Sequence, residues 1–299
     1  MTNQREYLPK ATLKLLARRS NLRGAWLVAH CWGVIVAMVA LVVLLPHPLT
    51  YLLAVIVIGS RQLGLAILMH DAAHGILFKS RRANEFIGTY CLAYPIGTDL
   101  KGYRKYHLKH HALTQTAEDP DLGLSAPFPV SRGSLFRKAL RDLSGLTGLK
   151  LRAQQILMLT KSDKTRAFSN VSVFGFLGAQ AVLLAIFTAL GIWPLFFALW
   201  ALPLLTWFQW VLRVRNIAEH ALTSHDDNPL THARTTQAGW LERAIIAPYY
   251  VNYHVEHHAF MYVPCFNLRA AHRQLIQNFG TQMTRSNSYA DVLAAASTG

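Results

Sequence analysis

The sequence predicts an all-α, multi-pass membrane protein with four transmembrane helices in two hairpins and a histidine-rich cytoplasmic domain. Three observations lead to this fold class. Of the 299 residues, 52% are apolar and only 15% are charged, and the mean hydropathy of +0.22 is high for a soluble domain. The apolar residues are gathered in runs of about twenty. The 30 Lys and Arg residues outnumber the 15 acidic ones and lie almost entirely outside these runs.

The first predicted hairpin covers residues 25–69. Ala25–Leu45 carries no formal charge, and at about 1.5 Å per residue it is long enough for a hydrocarbon core of roughly 30 Å. Pro46 and Pro48 then end the helix, and Thr50–Met69 supplies the second span. A signal peptide is the poorer interpretation, because the apolar run is too long and no small-x-small cleavage pattern follows it.

The second predicted hairpin, residues 171–212, consists of Val171–Leu190 and Trp193–Leu212 around a short break. Neither hairpin tip carries Lys or Arg, and Arg61 is the only basic residue inside a span, so the other 29 lie on one side. By the positive-inside tendency this side is cytoplasmic, and both termini are there. The expected segments are a cytoplasmic N-terminus (1–24), the first hairpin (25–69), a cytoplasmic and interfacial segment (70–168), the second hairpin (171–212) and a cytoplasmic C-terminal segment (213–299).

Two further segments are expected to lie along the membrane. Phe86–Leu100 is apolar, but it contains Pro95 and Gly97 and is short for a span, so we interpret it as interfacial or re-entrant. Ser131–Thr160 mixes leucines with arginines and lysines. That composition suits either the lipid headgroup layer or a packed helix of the cytoplasmic domain.

The charge and cysteine patterns exclude two other classes of protein. The topology accounts for the basic excess, and the chain has no RNA-recognition aromatics, zinc-finger spacing or basic zipper pattern, so we expect no nucleic-acid partner. The three cysteines, Cys31, Cys91 and Cys265, are far apart and form no C-x-x-C pair. A disulfide framework and an iron–sulfur site are therefore not expected.

Histidines are concentrated in three boxes. Eight of the fourteen fall in HDAAH (70–74), HLKHH (107–111) and the last five residues of NYHVEHH (252–258). Residues at i, i+3 and i+4 share one face of a helix, so each box can present its imidazoles to one point. The first box follows the second span, and Asn216 and His220 follow the fourth span at the same depth. The boxes therefore predict a metal site at the cytoplasmic ends of the spans, with too many ligands for one ion.

The remaining histidines fit no box and are expected to be ordinary packing residues; they are His30, His47, His225, His232 and His272. Neutral imidazole suits zinc, copper and iron alike, so the ligand type does not choose the metal. The sequence has neither the H-E-x-x-H of zinc proteases nor the Glu-x-x-His of soluble di-iron bundles.

At the boxes the chain resembles the integral-membrane fatty acid desaturase superfamily, whose members carry three histidine boxes around two irons. The boxes occur in the same order relative to two hairpins, and the resemblance covers most of the chain. It implies a di-iron centre, with O₂ as co-substrate. The implied iron ligands are His70, His74, His107, His110, His111, His220, His254, His257 and His258, with Asn216 coupled to one iron through water.

The resemblance implies an O₂-dependent oxidoreductase. Residues 259–264 are similar to the segment that follows the third box in acyl-lipid and sphingolipid desaturases, which favours desaturation of a fatty acyl substrate. Lipid or carotenoid hydroxylases and ketolases share the boxes and stay open as alternatives. A membrane metal transporter, or a zinc-dependent hydrolase or receptor, is a remote alternative, because transporters bind their ions near the bilayer midplane. The small size of the chain leads us to expect a bacterial inner membrane.

Residues outside the boxes suggest further roles in ligand orientation, electron supply and helix packing. Asp71, Glu219 and Glu256 are either acceptors that orient histidine ring N–H groups or ordinary exposed charges. Because the chain has no Gly-x-Gly motif, electrons are expected from a separate ferredoxin- or cytochrome-type donor. The basic residues Lys101, Arg104, Lys105 and Lys109 would attract either an acidic donor or lipid headgroups. Trp193, Trp200 and Trp207 repeat every seven residues, and we interpret them as helix packing rather than as a substrate channel.

Overall fold

A computed structural model of the chain describes residues 7–157 and 170–299, and helix predominates in these ranges as predicted. The α-helices before residue 158 are α1 (Lys10–Leu16), α2 (Asn21–Leu44), α3 (Pro48–Ala73), α4 (Arg81–Ile87), α5 (Leu100–Leu113), α6 (Leu122–Ser125), α7 (Arg132–Leu143) and α8 (Leu146–Leu157). Those from residue 170 onward are α9 (Asn170–Ala189), α10 (Trp193–Phe196), α11 (Leu202–Leu205), α12 (Trp207–His220), α13 (Trp240–Ile245), α14 (His254–Ala259), α15 (Cys265–Phe279) and α16 (Tyr289–Ala295). Two short strands, β1 (Thr235–Thr236) and β2 (Arg285–Ser286), pair in parallel.

Among the described residues, four helices are long and apolar enough to cross a membrane. They are Asn21–Leu44, Pro48–Ala73, Ser172–Ala189 and Pro194–His220. The number agrees with the prediction, but two of the helices end later than predicted. The second ends at Ala73 rather than Met69, and the fourth ends at His220 rather than Leu212. The same two helices therefore carry metal-competent histidines in their last turns.

Local signals explain where the first two spans begin. The Ser20 side chain accepts a hydrogen bond from the Arg23 N–H at 3.2 Å and caps α2. At the start of α3, His47 Nδ1 accepts from the Leu49 N–H at 3.2 Å. Pro48 occupies the first position of α3, where its missing N–H costs nothing. His47 therefore has the structural role that the sequence predicted, although as a helix cap.

The fourth span is not one regular helix. It passes from α10 through a π-helical stretch, Phe197–Ala201, into α11 and then breaks at Thr206 before α12 begins. Pro203 lies in the first turn of α11 and has no N–H to donate to the Leu199 carbonyl oxygen of the π-helical stretch. The Gln209 amide donates to the Leu204 carbonyl oxygen at 2.9 Å and so satisfies one freed acceptor. Hydropathy alone predicts a continuous span, because such a break leaves the apolar composition unchanged.

Two tryptophans of the repeat on this span, Trp200 and Trp207, serve packing as predicted, whereas Trp193 is exposed. Trp200 is buried and stacks on Trp32 with ring centroids 5.6 Å apart. Its ring N–H donates to Gln180 Oε1 at 2.9 Å, and the Trp207 ring N–H donates to Ser60 Oγ at 3.0 Å. These bonds join the fourth span to the second and third spans.

The segment Phe86–Leu100 packs against several spans without being one of the four candidates. α4 continues into a π-helical stretch, Gly88–Ala93, and a 3₁₀ turn, Tyr94–Ile96. The Trp32 ring N–H of α2 donates to the Cys91 carbonyl oxygen at 3.1 Å, and the Gln180 amide of α9 donates to the Pro95 carbonyl oxygen at 3.0 Å. These contacts hold the segment against α2 and α9.

The basic segment after residue 131 forms α7 and α8, and its last three residues, 158–160, lie outside the described ranges. Asp142 is fully buried and pairs with Arg213 on α12, with the Nε–Oδ2 distance at 2.5 Å. Leucines such as Leu140 and Leu146 remain exposed. The two helices thus combine a packed contact to the fourth span with an exposed apolar surface.

Part of the C-terminal segment lies beside the second span. The Arg61 guanidinium contacts the Ala244 carbonyl oxygen of α13 and lies over the Tyr249 ring, 5.7 Å from its centroid. His30 Nδ1 is 3.1 Å from the Tyr249 hydroxyl. Residues near α13 therefore pack on α3 more than two helical turns before His70, which the sequence pattern did not predict.

Candidate metal centre

Four helices carry the predicted ligands. α3 holds His70 in its last turn and ends with His74 at its C-cap. α5 holds the second box, α12 ends on His220, and α14 holds the histidines of the third box. The start of α5, which carries the second box, is fixed by its cap: the Asp99 carboxylate accepts a hydrogen bond from the Gly102 N–H at 2.6 Å. Each helix therefore turns its histidine face toward one shared region.

Five histidines form a first group, which we call the five-histidine group. Its members are His70, His74, His107, His111 and His257, and one ring nitrogen of each lies within 4.8 Å of the others. The Nε2 atoms of His111 and His257 are 2.8 Å apart, and those of His70 and His257 are 3.0 Å apart. All three boxes contribute to this group.

A second group, the four-histidine group, lies beside the first. His110, His220 and His258 have ring nitrogens within 4.8 Å of one another. His254 joins them, because its Nε2 lies 2.9 Å from that of His220 and 3.2 Å from that of His258. The rings of His111 and His258 are 4.4 Å apart, so the two groups are in direct contact. The structure thus brings together all nine histidines that the sequence singled out.

The hydrogen bonds on the outer nitrogens show that this arrangement fits metal ions. His110 Nδ1 faces the Asp119 carboxylate at 2.8 Å, and His220 Nδ1 faces the His232 carbonyl oxygen at 3.1 Å. Both partners only accept, so each Nδ1 carries the proton and each Nε2 presents a lone pair. These two Nε2 atoms are 3.2 Å apart. Two lone pairs at this distance repel each other unless a cation lies nearby.

Burial keeps the rings in the neutral form that binds metals. It is the main cause that lowers the pKa well below the usual value for His107, His111, His254, His257 and His258, and the charges of neighbouring histidines lower it further. The pKa of His74 is lowered to about 4 by burial and then by Arg104. His74 Nε2 is also buried and has no hydrogen-bond partner in the described residues. A metal ion would satisfy this atom.

Two of the three predicted acidic acceptors lie beside ligands. Asp71 Oδ1 is 3.4 Å from His70 Nδ1, while its other oxygen accepts from the Cys265 N–H at 2.7 Å. Glu219 Oε1 is 3.4 Å from His254 Nδ1 and accepts from Arg215 Nε at 2.6 Å. Neither carboxylate is exposed. Both are placed to orient a histidine ring, as ligating histidines require.

The third acidic residue, Glu256, has a different partner from the one expected. It is fully buried and contacts His272 Nδ1 and Thr235 Oγ1, each at 2.5 Å. His272 belongs to neither histidine group. Although Glu256 lies between two boxed histidines in sequence, its side chain joins α14 to α15 and β1. The expectation that it is an exposed charge is wrong as well.

Sequence reasoning missed Asp119, which holds His110. The Asp119 carboxylate also accepts hydrogen bonds from the N–H groups of Gln115 and Asp121, both at 2.9 Å. Burial alone would raise the pKa of this carboxyl, but the hydrogen bonds from His110 and from the two backbone N–H groups lower it below its usual value. The signal in the sequence is the acidic stretch 118–121 after the second box, but its spacing does not indicate which histidine it contacts.

Asn216 lies on α12 one turn before His220, as its spacing predicted. It lines a cavity of about 200 Å³ together with His220 and His254 of the four-histidine group. This cavity also touches Arg215 and Glu219, so its wall is polar and has room for water. Asn216 is thus placed beside the four-histidine group, and in the described residues it forms no hydrogen bond to a ring.

A larger cavity of about 990 Å³ reaches the centre from another side. Its walls include His111 from the five-histidine group and His258 from the four-histidine group. Lys10 and Lys14 of α1 and the loop residue Asp227 also line it, and these side chains are exposed. Among the described residues, this cavity therefore connects solvent with the place where the two groups meet.

Arg104, one of the basic residues of α5, differs from its expectation. Arg104 is half-buried, and its guanidinium donates to the Ala73 carbonyl oxygen and to Glu85, both at 2.6 Å. It is a structural residue rather than part of a free basic face.

The unboxed His232 also differs from its expectation as a packing residue, because it lines the larger cavity with its ring 5.2 Å from that of His258. Burial lowers the pKa of His232 below its usual value.

Comparison with known proteins agrees with this geometry. The family model for fatty acid desaturases matches residues 46–288. Dihydrorhizobitoxine desaturase of Bradyrhizobium elkanii is 31% identical over 275 residues, which cover 88% of this chain and 78% of that protein. The sn-1 oleoyl-lipid 12-desaturase of Synechocystis sp. is 25% identical over 246 residues, 74% of this chain and 67% of that protein. Beta-carotene ketolase of Paracoccus sp. is 33% identical over 103 residues, covering 34% of this chain and 40% of that protein.

Proposed function

The chain belongs to the fatty acid desaturase family and is an oxidoreductase, and we propose that it is a membrane di-iron oxygenase that introduces a C=C bond into an aliphatic chain. The expected substrate is a fatty acyl chain of the acyl-lipid or sphingolipid type. The convergence of nine histidine side chains in two touching groups carries the proposal. Two relatives that align with most of the chain are both desaturases, which supports it.

We assign one iron to each group. The five-histidine group would hold the first iron and the four-histidine group the second, with Asn216 near the second through water in the smaller cavity. Imidazole binds iron well but also binds zinc and copper. The choice of iron therefore rests on membership of a di-iron family. It also rests on the chemistry. An unactivated C–H bond has no acidic proton that a side-chain base could remove, so a metal cofactor must carry the oxidation.

The iron pair would supply the activation of O₂ that this oxidation needs. The protein's own groups have other tasks. Asp71, Asp119 and Glu219 hold Nδ1 atoms of three ligands and so fix the direction of each Nε2. Fully buried apolar residues behind the groups, Val255, Phe260 and Ile217 among them, exclude water. The larger cavity would admit the chain to the place where the groups meet.

The proposed topology has two membrane hairpins, 25–69 and 171–212, with the histidine-bearing segments 70–168 and 213–299 and both termini on the cytoplasmic side. The positions of the 29 basic residues outside the spans support this orientation. Exposed apolar residues on α2 and α9, such as Val36 and Phe174, suit contact with lipid. A bacterial inner membrane is proposed, in keeping with the bacterial relatives.

Electrons are proposed to come from a separate ferredoxin- or cytochrome-type donor. Lys101, Lys105 and Lys109 are exposed on α5, the helix that carries the second box. They would attract either an acidic donor or lipid headgroups. The turnover rate with a soluble donor should fall as ionic strength rises if the lysines guide the donor. A rate independent of salt would assign them to lipid.

Hydroxylation or ketolation is the second candidate, favoured by the similarity of one third of the chain to beta-carotene ketolase. Product masses separate the two reactions. Cells that express the protein should accumulate a lipid two hydrogens lighter, and the His257→Ala variant should not. His30→Ala is the control, because His30 lies on α2 outside both groups. A product that gains oxygen would move the assignment to hydroxylase or ketolase. Activity in His257→Ala would show that His257 is not a required iron ligand.

A further inference from the structure

The imidazole of His232 occupies an unusual position beside the candidate metal centre. The side chain lies in the loop between α12 and α13 and is only 7% exposed. It lines the larger cavity at the same end as His258, and the two ring centroids are 5.2 Å apart. Its Nε2 atom is buried, and no described residue forms a hydrogen bond with it. A buried polar atom without a partner is costly, so it points to a group that the protein binds.

The hydrogen bond on the other ring nitrogen determines what this atom can bind. His232 Nδ1 lies 3.2 Å from the Asp226 carbonyl oxygen. A carbonyl oxygen only accepts, so Nδ1 carries the proton in the neutral ring, and Nε2 presents a lone pair. The atom therefore accepts a hydrogen bond and offers none.

The larger cavity brings a flexible ligand to the His232 ring and to one histidine of each group. His111 and His258 lie in its wall together with His232. Met261, Tyr262 and Leu113 supply apolar surface between the centre and the rim. At the rim, Lys14 and Asp227 are exposed to solvent. An aliphatic chain with a polar group can thus lie along the cavity.

We propose that His232 is a substrate-binding residue whose Nε2 accepts a hydrogen bond from a hydroxyl or amino group of the substrate, close to the carbon that reacts. This inference rests on the proposed oxygenase function and narrows its substrate class. The favoured substrate is an aliphatic chain that carries an O–H or N–H donor in its interior part, rather than a plain hydrocarbon tail. A chain without a donor would leave the buried lone pair unsatisfied, and sites built around hydrogen bonds reject such analogues strongly.

Two other roles for His232 make different predictions. As a further metal ligand, it would lower the iron content when removed, although its ring nitrogen is not part of either group. If it bound only water, it would not discriminate between ligands with and without a donor. Measurements of binding and of iron on the same samples separate these roles from the proposed one.

The test compares 4-octanol with dibutyl ether, which have the same composition and differ in carrying a hydroxyl or an ether oxygen in the interior of the chain. Binding to the iron-loaded protein in lipid nanodiscs is measured without oxygen and without an electron donor, so that turnover does not contribute. The wild type should bind the alcohol about tenfold more tightly than the ether. His232→Phe should remove this preference, and His232→Gln should keep most of it, because the amide oxygen also accepts. Partition into lipid is the same for all variants and cancels from the comparison.

His225→Phe is the matched control, since His225 belongs to the same loop but is exposed at the cavity rim. This variant should retain the preference for the alcohol. If His232→Phe does not insert in the membrane, His232→Leu provides the same comparison. The proposal is overturned by equal binding of both probes to the wild type, by a preference that survives in His232→Phe, or by loss of iron from that variant. A wild type without iron would contradict the proposed function, and the binding preference would still test His232.

Discussion

His110 Nδ1 and Asp119 Oδ1 lie 2.8 Å apart, although Asp119 belongs to the loop that follows α5 and His110 to the helix itself. The Asp119 carboxylate is also held by the N–H groups of Gln115 and Asp121. His110 is therefore fixed as the tautomer that carries its proton on Nδ1, with Nε2 free to bind a metal. The carboxylate thus positions a proposed ligand without itself belonging to either histidine group.

Asp119→Asn should weaken iron binding at the four-histidine group by about tenfold or more, because an amide is a poorer acceptor for the His110 N–H. Iron content is measured after dialysis against increasing concentrations of a chelator. Glu118→Gln is the control, since Glu118 is exposed one residue earlier. Equal iron retention in wild type and Asp119→Asn would show that the contact does not support binding.

Glu256→Gln should lower stability while leaving iron content unchanged. The carboxylate is fully buried between Thr235 and His272, so its loss should cost about 1–3 kcal/mol in the free energy of unfolding. Thermal unfolding and metal analysis on the same sample check this. Asp71→Asn provides the contrast, because Asp71 lies beside the ligand His70 and its loss should reduce iron content. Iron loss in Glu256→Gln without a change in melting temperature would refute the assignment.

Arg213→Ala should destabilise the packing of α7 on α12. It leaves the fully buried Asp142 carboxylate without its cation, which costs about 3 kcal/mol in the free energy of unfolding. Arg141→Ala is a suitable control, because Arg141 is exposed beside Asp142. Denaturant unfolding in detergent measures both variants. Similar stability of the two would mean that the ion pair contributes little.

The iron-free protein should lose stability in acid. The pKa of His74 falls from 6.5 to about 4 on folding, mainly because of burial, so the unfolded chain binds the proton more readily than the folded one. His74 leaves the free energy of unfolding unchanged above pH 6.5 and lowers it progressively as the pH falls toward 4. Melting temperatures of chelator-treated protein between pH 7.5 and 4.5 should show this decline. His74→Gln should show a shallower one, and an identical slope would exclude His74 as a contributor.

Much of the architecture follows from local sequence patterns. Runs of apolar residues predict all four candidate spans, and helical spacing predicts that each box presents one histidine face. These features depend on neighbouring residues, so a single sequence contains them. The break at Thr206 lies within an apolar stretch, and hydropathy does not register it.

The rest of the site depends on contacts between distant segments. The pairing of Glu256 with His272 requires the packing of α15 on α14, and the place of His232 at the cavity requires the loop after α12 to fold back toward the third box. The sequence predicts Arg104 as part of a basic surface, whereas in the structure it forms hydrogen bonds to Ala73 and Glu85. Residue type and spacing carry no information about such partners.

The central claim is that the two histidine groups hold two irons, and metal analysis of the purified protein tests it most directly. We predict about two irons per chain in the wild type and about one in both His107→Ala and His110→Ala, which each damage a different group. Mössbauer spectra of these variants should then show two different remaining sites. One zinc per chain with no iron, or full iron content in both variants, would contradict the account.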